Sequence, residues 1–120
     1  MNDSSTLNVL ADILSGFSFA ITCEEDLQVG VGRALERAGV VAERERKLGR
    51  DRVDFFVDGI AVEVKIEGSL SAVTRQLHRY SEHPDVKAVL LVTTKMQHDR
   101  MPETMSGKPV RVVRVKTGAI

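Results

Sequence analysis

Asp58-Gly59 stands between two runs rich in Val, Ile and Phe, at 52–57 and 60–66. Asp-Gly is a strong signal for a two-residue type I′ turn, because both central residues must take positive φ. Such a turn fixes the register of a hairpin. Val57 then opposes Ile60, Phe56 opposes Ala61, Phe55 opposes Val62 and Asp54 opposes Glu63. Directly opposed side chains share a face, with Cβ atoms roughly 5 Å apart. Lys65 lies two residues beyond Glu63 and belongs to the same face. Like charges opposed on a sheet are destabilising, so Asp54 beside Glu63 calls for a compensating group. A hard divalent cation is one answer, since such ions prefer carboxylate oxygens. The other is that Asp54 lies beyond the last true pair, on a solvated face neutralised by Lys65.

At 120 residues the chain has room for one domain and one core. Lys plus Arg and Asp plus Glu both number 17, so formal net charge is zero, which argues against a protein that coats nucleic acid by bulk charge. It leaves room for an acidic site with a basic rim. Four Phe, one Tyr and no Trp make a poor base-stacking platform. No apolar run approaches the roughly 20 residues that span a bilayer, and no basic-then-apolar leader opens the chain. The single cysteine, Cys23, cannot form an internal disulfide. A cytoplasmic, reducing setting without membrane partners is the expectation.

Leu7, Leu10, Ala11 and Leu14 fall at helical spacing, and Gly16 stops that helix. Phe17, Phe19 and Ile21 alternate as a short extended piece. Residues 1–21 read as an N-terminal extension carrying this short helix, and 22–120 as a single domain. Thr22 and Glu25 have the spacing of a capping box, which opens a helix running to Ala38 and ending at Gly39. Its apolar stripe is Leu27, Val31, Ala34, Leu35 and Ala38. Gly30 and Gly32 weaken it by up to about 1 kcal/mol each, which suggests close packing on a neighbour. A charged strand of poor alternation follows at 40–48, then the hairpin. Ser69 caps a second helix over 70–82, with Leu70, Val73, Leu77, Tyr80 and Ser81 facing inward. Residues 86–93 form an almost continuous apolar run, as in a strand buried on both faces. Residues 95–109 read as loop, and 110–115 as a last strand. The fold class is α/β with a mixed central sheet. The strand–helix–strand step through 60–93 implies a parallel pair at its centre.

The order helix, three-strand meander, helix, strand, with Asp54, an eight-residue gap and then Glu63-Val64-Lys65, resembles the PD-(D/E)XK nuclease superfamily. The likeness covers about residues 22–94. Val53 stands where the family's name has proline. Gln76 and Tyr80, four apart and on one helix face, are similar to the Gln-x-x-x-Tyr element of RecB-like nuclease domains. Glu24 matches a glutamate that many members carry near the start of the first helix. It shares a face with Gln28, Val31, Leu35 and Ala38, where a carboxylate is costly unless paired or bound to metal. A solvated residue favoured by the helix dipole is the other reading of Glu24.

The resemblance implies an αβββαβ restriction-endonuclease-like core and hydrolysis of DNA phosphodiester bonds with Mg²⁺, for which Mn²⁺ can substitute. Asp54, Glu63, the Val64 carbonyl and Glu24 would hold the metal, and Lys65 would orient the attacking water or steady charge on the phosphate. Gln76 and Tyr80 would support the site. Phosphate contacts would come from Arg44, Arg46, Lys47, Arg50, Arg52, Arg75 and Arg79. DNA is the implied partner; a homodimer is an expectation because duplex cleavage needs two sites, and structure-selective or weakly specific endonuclease cleavage, or a recruiting protein, is another because so small a domain offers little surface for sequence recognition. A non-catalytic or partner-dependent accessory module on the same fold is the alternative. His78, His83 and His98 show no zinc-like spacing and read as surface residues.

Overall fold

The computed structural model describes residues 2–116. In chain order they form α1 (Asp3–Ser15), α2 (Glu24–Arg37), β1 (Glu43–Leu48), β2 (Asp51–Val57), β3 (Ile60–Lys65), α3 (Leu70–Ser81), β4 (Ala88–Thr93), β5 (Thr104–Met105) and β6 (Lys108–Arg114). A 3-10 turn at Met96–Arg100 and the two-residue β5 occupy the stretch read from sequence as loop.

The six strands lie in the order β1-β2-β3-β4-β6-β5. β2 runs antiparallel to both its neighbours, β1 and β3, and β3, β4 and β6 run parallel. The parallel β3–β4 pair therefore sits in the middle, as the strand–helix–strand spacing predicts. Asp58 and Gly59 take φ of 48° and 85°, the positive values that a type I′ turn demands. Every residue of β4 is buried, because helices cover both faces of the sheet.

One face carries α1 and α2, whose Leu7, Leu10, Leu14, Leu27, Val31 and Leu35 pack with Phe55, Val62, Val64 and Leu90. The helix of the N-terminal extension thus shares this core. The other face carries α3, whose Val73, Leu77 and Tyr80 pack with Val53, Ala61, Val89 and Leu91. Ser69 caps α3 through its hydroxyl, which accepts from the Ala72 amide at 3.1 Å.

The start of α2 departs from expectation. Cys23 is the N-cap and makes no side-chain cap bond. Thr22 instead bonds Asp26 through both its amide and its hydroxyl, one residue later than the capping box places the acid. The early end of α2 leaves Ala38 exposed, outside the stripe. β1 begins at Glu43 rather than at residue 40.

His98 is fully buried, contrary to its reading as a surface residue. Its Nε2 donates to the Gly68 carbonyl at 2.8 Å, and its Nδ1 lies 2.6 Å from Thr93 Oγ1. Both ring nitrogens are satisfied, which is the condition for burying an imidazole. The ring ties the end of β4 to the loop before α3. No sequence pattern around 95–100 betrays this, because one partner, Gly68, lies 30 residues away and the other, Thr93, ends the preceding strand.

Candidate functional site

The hairpin ladder holds as far as Phe55 opposite Val62 and stops there. Asp54 and Glu63 are the next positions, and they do not form a main-chain pair. Their side chains bond across the gap instead. The Asp54 amide donates to Glu63 Oε1 at 3.2 Å, and the Val64 amide donates to Asp54 Oδ2 at 2.8 Å. The expectation of Asp54 and Glu63 as an ordinary opposed pair is corrected accordingly: β2 and β3 splay, and each carboxylate binds the other strand's backbone.

β2 turns over at this point. Strict alternation would put Val53, Phe55 and Val57 on one face. Val53 packs on the α3 side, whereas Phe55 and Val57 pack on the α1–α2 side. The β1 residue opposite the turnover is Glu45, whose φ of 51° lies in the left-handed region that non-glycine residues seldom adopt. The poor alternation of 43–47 is the sequence trace of this irregularity.

The splay lets both helix layers reach the carboxylates. From α3, Gln76 Nε2 donates to Glu63 Oε2 at 2.9 Å, and the Tyr80 hydroxyl lies 3.1 Å from the same oxygen and 3.1 Å from the Arg52 carbonyl. Gln76 and Tyr80 also bond each other at 2.8 Å. From α2, Gln28 Nε2 donates to Asp54 Oδ1 at 3.2 Å, and Glu24 Oε1 accepts from the Ile66 amide at 3.3 Å. Lys65 Nζ stands 3.6 Å from Glu63 Oε2.

Glu63 is 3% exposed and Asp54 is half-buried. Burial raises the Glu63 carboxyl to about 8, and the neighbouring Asp54 charge adds to the rise, against the pull of Lys65. Asp54 is also raised, by burial and by the charge of Glu24, while the Val64 amide and the Glu63 carboxyl hold it down. Burial and the Glu63 charge raise the Tyr80 phenol too, so it stays a donor. One buried and one half-buried carboxylate facing one lysine are short of positive charge. In water-poor surroundings they take up either a proton or a cation.

The structure therefore brings together Asp54, Glu63, Lys65, Gln76 and Tyr80, with Glu24 at the rim. Among the described residues Glu24 does not close with Asp54 and Glu63 into a three-carboxylate set. The Val64 amide points at Asp54, and N–H and C=O of one strand residue point to the same side. Its carbonyl thus faces the same gap. Arg79 does not join the site: its Nε pairs with Asp51 at 3.2 Å. Arg52 contributes only its carbonyl, since its side chain is exposed. Arg46 is tied to Asp85 at 2.8 Å and stacks 4.4 Å over Phe56, and Arg44 lies 5.2 Å over Phe55. Lys47, Arg50, Arg52 and Arg75 form no ion pair among the described residues.

Gln28 is the site residue that sequence reasoning passed over. Its spacing of four from Glu24 put it on the right face, but a glutamine carries no charge to flag it.

The donor set suits a small hard dication: two carboxylates and a backbone carbonyl, all oxygen. No helix of the described residues is long and apolar enough to cross a membrane. Comparison with protein-family models, with curated proteins and with solved structures finds no match for this chain.

Proposed function

We propose that the chain is a metal-dependent nuclease of PD-(D/E)XK type, hydrolysing DNA phosphodiester bonds on a restriction-endonuclease-like core. The observation that carries this reading is the pair Asp54 and Glu63 set in the splay between β2 and β3, with Lys65 at 3.6 Å from Glu63. The element order α2-β1-β2-β3-α3-β4 and the parallel β3–β4 pair support it. So does the Gln76–Tyr80 bond on Glu63, the place where a Gln-x-x-x-Tyr element would act.

Asp54, Glu63 and the Val64 carbonyl would hold Mg²⁺ or Mn²⁺. Held by these residues, such an ion would supply Lewis acidity and make water a better nucleophile at neutral pH. Gln76 and Tyr80 hold Glu63 Oε2 and the Asp54 amide holds Oε1, so the orientation of the carboxylate is fixed. Lys65 is only partly buried and can swing its ammonium from Glu63 to a phosphate oxygen or to the attacking water. Glu24 sits on the Ile66 amide, one strand position past Lys65, and steadies that end of β3.

A second reading is that a partner protein recruits the nuclease to DNA. The zero net charge gives no bulk attraction, and Arg46 and Arg79 spend their charge on Asp85 and Asp51. One assay separates the two. Supercoiled, linear and branched DNA are incubated with Mg²⁺ or Mn²⁺, with EDTA and Lys65→Ala as controls. Cutting by the chain alone, lost in both controls, is the expected result. A folded, metal-binding chain that cuts none of the three points to the recruited form. Cutting that survives EDTA or Lys65→Ala contradicts the assignment.

A further inference from the structure

We propose that Gln28 is a positioning residue for the metal site, holding Asp54 in the orientation that a divalent cation needs. The inference rests on the metal-site reading above. Its basis is geometric. Gln28 Nε2 lies 3.2 Å from Asp54 Oδ1, while the Val64 amide holds Oδ2 at 2.8 Å. The two donors grip opposite oxygens and leave the carboxylate no freedom to rotate. Both donors are neutral, so they orient the charge without cancelling it. A lysine or arginine at the same place would neutralise Asp54 and compete with a cation.

α2 is built to deliver this contact. Gln28 lies one turn after Glu24, on the same face. Glu24 reaches the end of β3 through the Ile66 amide, and Gln28 reaches β2 through Asp54. The helix thus bridges the two strands where their ladder has opened. One further turn along, Gly32 faces Phe55, the residue after Asp54. A Cβ at Gly32 would stand 3.4 Å from the Phe55 ring, an ordinary van der Waals contact, so α2 packs directly on β2 there. Close approach brings a side chain as short as glutamine within reach of Asp54. On the other face Gln76 does the same for Glu63 at 2.9 Å. Each carboxylate therefore has its own amide, one from each helix layer.

Partners that orient a metal-binding carboxylate typically change affinity or activity by about 10- to 100-fold when removed. The test is calorimetric titration of the whole chain with Mn²⁺, comparing the wild type with Gln28→Met, which keeps length and packing and loses only the donor. The thermal midpoint in EDTA is measured alongside. The expected result is Mn²⁺ binding weakened by about tenfold or more, at a thermal midpoint close to the wild-type value. DNA cutting should recover toward the wild-type maximum at saturating Mn²⁺. Equal Mn²⁺ affinity in the two proteins overturns the role for Gln28 while leaving the metal site standing. A wild-type chain that binds no Mn²⁺ overturns the site itself, and this inference with it.

Discussion

At the scale of single residues, the Glu63 carboxyl dominates. It titrates near 4.5 in an unfolded chain and near 8 in the fold, chiefly through burial and then through the Asp54 charge. Between those values the folded chain holds a proton that the unfolded chain has lost. Unfolding free energy therefore falls as pH rises through that window, and levels off above it. Asp54, raised as well, acts in the same direction. The effect is on the order of a few kcal/mol for a group this deeply buried. Thermal midpoints in EDTA should accordingly decline from about pH 5 to about pH 9 for the wild type. Glu63→Gln removes the titrating group and should flatten most of that decline. A wild type as stable at the alkaline end as at the acid end contradicts the buried, charge-poor arrangement.

At the scale of elements, the hairpin was legible because turn chemistry is local: Asp58-Gly59 permits one turn and so one register. α1, α3 and β4 were legible for a similar reason, since their apolar spacing repeats over whole segments. The splay was not legible. Register arithmetic carries Asp54 opposite Glu63, and only the packing of Val53 and Phe55 on opposite faces stops the ladder one pair earlier. The residue types of the site were readable, but their contacts were not, because carboxylate-to-backbone bonds depend on that opening. His98 failed for want of any local signal, its partners Thr93 and Gly68 lying on other elements. Of the two glycines of α2, Gly30 carried a readable meaning as a close-packing position, whereas Gly32 has room for a Cβ in ordinary contact with Phe55. A Cβ at Gly30 would stand 2.6 Å from Phe19 Cδ1, too close for that buried ring to stay. Helix propensity favours alanine there by about 1 kcal/mol, whereas overpacking a core costs about 1–3 kcal/mol. Gly30→Ala should therefore lower stability in denaturant unfolding despite its better propensity. A rise in the midpoint contradicts the tight Phe19 contact.

At the scale of the whole molecule, the sheet is a scaffold buried on both faces, opened at one place. The central strands β3 and β4 are anchored by apolar residues on each side. The polar exception is concentrated where β3 ends, where helices from both layers converge on Asp54 and Glu63. Net stability is only about 5–15 kcal/mol, so two poorly balanced carboxylates draw on a large share of it, and a counter-charge there has a measurable effect. Nothing in the overall composition pointed there: zero net charge conceals a local surplus of negative charge. A divalent cation is the proposed counter-charge to that surplus. Binding to the folded state alone must raise stability by mass action. The direct measurement is the thermal midpoint at about pH 9, above the Glu63 value of about 8, with EDTA and with Mg²⁺, for the wild type and for Asp54→Asn. A clear Mg²⁺-dependent rise is expected in the wild type and almost none in Asp54→Asn. No rise in the wild type, or an equal rise in both, would contradict a cation at this site.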